Sequence, residues 1–119
     1  MRNEIEKVLE AMRNDYKRWH GQMLKDDGDT ESRRRIRDEM TEDYCTGLRV
    51  EENRRYWKIT SSKGSQTSVS GFIVKAGDKK FLEGDMLKAA GWAAPARNFA
   101  RGNVLDGYRV DEVRWTGIG

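Results

Sequence analysis

The chain has 119 residues, enough for one domain, and hydrophobic and charged residues each make up 36% of it. Its longest uncharged run, Gly64–Val74, is too short and too rich in Ser and Thr for a membrane-spanning helix, which needs about 20 mostly apolar residues. A single cysteine, Cys45, and a single histidine, His20, exclude an internal disulfide, a Cys/His zinc site and a multi-His metal centre.

Four Trp, four Tyr and three Phe argue for a packed core rather than disorder. The formal net charge is +3, unevenly spread. Residues 1–45 carry ten Lys and Arg against twelve Asp and Glu, and residues 46–119 carry thirteen against eight. A basic half is compatible with an anionic partner, and equally with an ordinary mildly basic surface.

From Asn3 to Met23 the residues Ile5, Val8, Leu9, Met12, Tyr16, Trp19 and Met23 recur at three- and four-residue spacing. That period predicts an amphipathic helix. Lys25-Asp26-Asp27-Gly28-Asp29 reads as a polar turn, lacking the distal Glu of a calcium loop. Ile36, Met40 and Tyr44 give a second helix, Thr30 to Thr46, a narrow apolar stripe, and Gly47 is placed to end it in the left-handed conformation. The charges around Arg33, Arg34, Arg35 and Arg37 pair at helical spacing and suit a solvated face.

After Gly47 the period becomes alternating. Strands are expected at Leu48–Val50, Tyr56–Thr60, Gln66–Lys75, Lys80–Leu82, Met86–Ala90 and Tyr108–Trp115. Between the last two, Pro95 can open a short helix that Gly102 closes. The expected architecture is a single α+β domain: a helical hairpin over 1–46, packed on an antiparallel sheet over 47–119. The sheet has four or five strands, flat or curled into a small partly open barrel, with a long loop at 91–107. Leu9, Met12, Trp19, Ile36, Met40, Tyr44, Trp57, Ile59, Phe72, Val74, Leu87, Val110 and Trp115 are the expected core.

Two groups stand out as binding candidates. In the long loop, Trp92, Arg97, Asn98, Arg101 and Asn103 combine an aromatic with donors that suit a phosphate or carboxylate. The two arginines share a face if the segment is helical. They can instead pin the loop by bonding its carbonyls or pairing with Asp106. On the second strand, Arg54, Tyr56 and Lys58 alternate outward from Trp57 and Ile59, a pattern that suits nucleic acid or a plain solvated face. No nucleophile–base pair or phosphate loop is visible, and the carboxylates Asp85, Asp106, Asp111 and Glu112 have no catalytic spacing. The expectation is therefore a non-enzyme without cofactor or metal.

Gly71-Phe72-Ile73-Val74-Lys75, Lys80-Phe81, Gly84-Asp85-Met86-Leu87-Lys88-Ala89-Ala90, Trp92, Pro95-Ala96-Arg97, Ala100-Arg101-Gly102-Asn103-Val104 and Trp115-Thr116-Gly117 form a recurring pattern. It resembles that of small uncharacterised proteins of tailed bacteriophages. Arg37-Asp38-Glu39-Met40 through Gly47-Leu48 is similar too. The resemblance implies a phage product in the bacterial host cytoplasm, and it implies no activity. Together the readings favour an accessory protein that binds a host or phage protein and modulates it, with no membrane association. The alternative is a nucleic-acid binder using the basic C-terminal half.

Overall fold

The computed structural model describes residues 1–23, 31–63 and 65–119, with side chains for all of these but 20–23, 31–34, 37 and 63. Helix α1 spans Arg2–Met23. Its stripe of Ile5, Val8, Leu9, Met12 and Tyr16 is at most 5% exposed. Each such side chain contributes about 1.5–3 kcal/mol by leaving water. Trp19 continues the stripe but is 41% exposed, so it is not the core residue the period suggests. One turn beyond Tyr16, its ring lies at the rim of the core, against Tyr16 and Trp115.

Helix α2 spans Glu31–Gly47. With about one apolar residue per turn it seats only its last turns: Tyr44 is buried, Met40 half-buried and Ile36 57% exposed. Ile36 therefore leaves the expected core. Gly47 ends α2 for a steric reason, not for a left-handed backbone. Positive φ is absent there, and a Cβ would collide with the Ser62 carbonyl.

Five strands follow: β1 Leu48–Glu52, β2 Tyr56–Lys63, β3 Gln66–Val74, β4 Asp85–Leu87 and β5 Gly102–Asn103. They form one antiparallel sheet in chain order. It is open, with β1 and β5 as its edges, so the barrel alternative does not form. Val50 pairs with Ile59, Trp57 with Ile73 and Lys58 with Phe72, and an irregularity at Ile59/Thr60 shifts the β2–β3 register.

Alternation places Trp57, Ile59, Ile73 and Met86 in one cluster with Ile5, Val8, Leu9 and Met12 of α1. Val104, Val113 and Ile118 complete that cluster. The other face carries Tyr56, Phe72, Val74 and Leu87, covered by Phe81, Ala89 and Ala100 from the irregular stretches on either side of β4 within 76–101. The fold is α+β, with helices on one sheet face and a loop on the other.

Three expected elements differ. Lys80–Leu82 is a bend and irregular, not strand. The segment from Pro95 is not helical but extended: Pro95 bridges Ala89, and the amides of Ala96 and Arg101 donate to the carbonyls of Lys88 and Met86. A helix of two turns is marginal alone, and pairing with the open side of β4 satisfies the backbone better. Tyr108–Trp115 is not a strand either. Arg109 adopts φ 58°, which breaks the extended run, and Val110–Glu112 forms a 3₁₀ turn. Val110 and Val113 are three apart, the spacing that eclipses on such a turn, and both pack on the cluster beneath α1.

Candidate functional site

Asp78 sits in the turn after β3. Its Oδ1 accepts the backbone N–H groups of Lys80 at 2.9 Å and Phe81 at 3.0 Å, a local turn geometry for which Asp is suited. Arg97 reaches across from the loop and donates to both carboxylate oxygens, Nη2 to Oδ1 at 2.9 Å and Nη1 to Oδ2 at 3.0 Å. The same Nη1 donates to the Tyr56 hydroxyl, and the guanidinium lies 4.9 Å above the Phe81 ring centre. The Arg97 carbonyl accepts from the Lys80 ammonium. Asp78 is 4% exposed at its side chain. The Arg97 hydrogen bonds, then the two backbone donors, hold its carboxyl well below the usual carboxylate range despite its burial. Arg97 is in turn held above its ordinary value, chiefly by its bonds to Asp78.

This geometry joins the two sequence candidates, because Arg97 comes from the loop and Tyr56 from β2. Beside them opens a cleft of about 510 Å³ lined by Arg54, Arg55, Lys75, Lys79 and Arg97 around the single carboxylate of Asp78. Arg55 approaches Asp78 at 3.5 Å and Lys75 approaches Glu52 at 3.3 Å. Arg54 and Lys79 are exposed and have no ion-pair partner among the described residues. The cleft is thus a site of surplus positive charge.

The expected outward face of β2 is not outward. Tyr56 is 8% and Lys58 5% exposed, because the 76–101 segment covers them. The Lys58 ammonium lies 3.8 Å from the centre of the Trp92 ring. Such a contact between a cation and an indole face is worth about 0.5–2 kcal/mol, more as water is excluded. Trp92 itself is 56% exposed. Only Arg54 of that trio remains free to meet a ligand.

Arg101 does not join Arg97. Without a helix the two do not share a face. Arg101 closes its own loop, donating to Asn98 Oδ1 at 3.0 Å and to the Phe99 carbonyl at 2.6 Å, with its guanidinium 3.8 Å above the Phe99 ring centre. Asn98 also accepts the Phe99 amide. Asn103 is 8% exposed and fully used: it donates to the Glu83 carbonyl and Asp85 and accepts the amides of Leu105 and Asp106. It is a structural strut. The proposed pairing of the arginines with Asp106 does not form; Asp106 accepts the Tyr108 amide.

Sequence reasoning missed Asp78 as the centre of the site, along with Arg55, Lys75 and Lys79. The Asp78 turn was readable from its residue type, but its partner 19 residues away was not. No group of three His, Cys, Asp or Glu side chains suited to a metal comes together among the described residues. The turn at 26–29 lies outside the described residues, as do the side chains of His20, Met23, Arg33, Arg34 and Arg37. Among the described residues no helix is long and apolar enough to cross a membrane.

Fold and site define a small α+β protein with a loop-covered sheet face and a cation-lined cleft at its edge. Residues 2–118 match the model of DUF7717, a family of unknown function, and the chain belongs to that family. No curated protein and no solved structure matches it.

Proposed function

We propose that this protein is a non-enzymatic phage accessory protein that acts in the bacterial host cytoplasm by binding a host or phage protein and modulating it. One observation carries the reading. Among the described residues seven large apolar side chains are exposed, and five of them, Leu82, Trp92, Phe99, Leu105 and Tyr108, come from the stretch 82–108. That stretch is fixed by polar struts, so these five side chains are held outward by structure. Aromatic residues and arginine held in this way are the side chains enriched in protein interfaces. The phage assignment rests on the sequence resemblance.

A second reading, nucleic-acid binding, is favoured by the cation-lined cleft, where Arg54 and Lys79 are available for phosphates. It lacks the stacking platform the sequence suggested, since Tyr56 is buried. Capture from bacterial lysate by the immobilised chain, with and without nuclease and at low and high salt, separates the two. The leading reading predicts a protein retained after nuclease and at high salt, because apolar contacts are little screened. Capture abolished by nuclease or salt supports the second reading and overturns the first.

A further inference from the structure

The sheet is bounded by β1 and β5, and the two edges differ among the described residues. On the outer side of β5 the Asn103 amide donates to the Tyr108 carbonyl at 2.9 Å, so that edge is occupied. The outer side of β1, Leu48–Glu52, carries no strand. Helix α2 lies inward of it: Gly47 sits against the Ser62 carbonyl of β2, and Tyr44 is buried in the core.

In an antiparallel pair a residue's amide and carbonyl point the same way, and that direction alternates along the strand. The Asn53 amide donates to the Tyr56 carbonyl. Followed along the register, Glu51 opposite Lys58 and Arg49 opposite Thr60 therefore also turn their backbone groups to β2. The Lys75 amide, bonded to the Arg55 carbonyl, gives the same phase from the far side of β2. Leu48, Val50 and Glu52 thus turn theirs to the open edge. Side chains alternate as well. Val50 is half-buried against the α1 cluster. Arg49 and Glu51 point to the opposite face, exposed and without an ion-pair partner among the described residues.

We propose that β1 pairs antiparallel with β1 of a second copy of this chain, about a two-fold axis at Val50, joining two sheets into one. The charges select the register. An axis at residue 49 sets Arg49 opposite Arg49, and an axis at residue 51 sets Glu51 opposite Glu51. An axis at Val50 sets Arg49 opposite Glu51 of the second copy, twice, at the closer, non-hydrogen-bonded positions. In that register the two Val50 residues exchange amide–carbonyl bonds, and each Glu52 amide meets the Leu48 carbonyl of the other copy. The two Val50 side chains meet across the axis. Charges on an edge ordinarily keep strands apart. Here the order Arg49-Val50-Glu51 is its own complement, which a second copy always supplies. The pairing uses no residue of the stretch 82–108 and stands apart from the proposed function.

The test is sedimentation of the full chain over a wide concentration range, with amide hydrogen exchange at low and high concentration. The proposal predicts a reversible monomer–dimer equilibrium. The Val50 and Glu52 amides should gain protection as concentration rises, while those of Arg49 and Glu51, bonded to β2, should be protected throughout. Arg49→Glu and Glu51→Arg should each raise the dissociation constant at least about tenfold, because each change acts twice at the axis. Thermal unfolding of the dilute chains should be unchanged, both residues being exposed. An equimolar mixture of the two variants should associate as wild type does, since each then meets the opposite charge. If Glu51→Arg fails to fold beside Lys58, Arg49→Glu and the wild-type exchange decide alone. A chain that stays monomeric throughout, its edge left to a strand of some other protein, overturns the proposal. So does a dimer that Arg49→Glu leaves intact, or one whose Val50 and Glu52 amides stay unprotected.

Discussion

The two faces of one sheet are closed by different physics. Beneath α1 the contacts are apolar and periodic: Val8 and Met12 are fully buried against Ile59 and Ile73. On the other face a few apolar groups, Phe81, Ala89 and Ala100, are held down by polar struts centred on Asp78, Arg97 and Asn103. Apolar packing spreads its energy over many contacts, whereas a strut concentrates it in one carboxylate or amide. The loop-covered face should therefore fail at single polar residues, and the helix-covered face should not.

The largest effects belong to the shared core. Phe72→Ala should cost about 3–5 kcal/mol and Met12→Ala about 2–5 in urea unfolding, one from each face. Either is a large part of the stability of a small domain, about 5–15 kcal/mol.

Asp78→Ala should come next, at about 3 kcal/mol, because it strands Arg97 and two backbone donors. It also carries a pH signature. A carboxyl held below its unfolded pKa stabilises the fold fully above the ordinary carboxylate range of about 4 and loses that contribution as pH falls. Wild type should lose stability in acid more steeply than Asp78→Ala. Parallel curves would show that the strut carries little.

Asn103→Ala should cost about 1–3 kcal/mol, since it leaves the buried Asp85 carboxylate and the part-buried Glu83 carbonyl and Leu105 amide without their partner. Arg101→Ala should cost less than about 1 kcal/mol, its contacts being local and exposed. Equal losses at Arg97 and Arg101 would dissolve the distinction between strut and surface arginine. Smallest of all, Arg54→Glu with Lys79→Glu should change stability by no more than about 0.5 kcal/mol per site, while reversing the charge of the cleft.

What was legible follows the same division. The stripe from Ile5 to Tyr16, and the alternation of Trp57 and Ile59 against Ile73, repeat often enough to be read directly. Ile36 and Trp19 extend the same patterns past the surface that covers them, and a period carries no information on where the partner ends. The loop face has no period at all. Tyr56 and Lys58 read as outward because alternation shows only that two faces exist, not that a distant segment covers the second. Val110 and Val113 fit a strand and a 3₁₀ turn alike, and the left-handed Arg109 that decides between them has no signature in residue type. The cleft candidates Arg54 and Arg97 were visible as cations, but the Asp78 carboxylate that holds Arg97 beside that cleft is brought to it only by folding.

The central claim is that stretch 82–108 is a surface made rigid by polar struts, with Leu82, Trp92, Phe99, Leu105 and Tyr108 turned out. Native-state hydrogen exchange in wild type and Asp78→Ala tests it most directly. The account predicts that the Ala96 and Arg101 amides, bonded to Lys88 and Met86, are protected in wild type. In Asp78→Ala they should lose protection well before the amides of α1 and the β2–β3 pair. Fast exchange of Ala96 and Arg101 in wild type, or equal protection in both proteins, would contradict it.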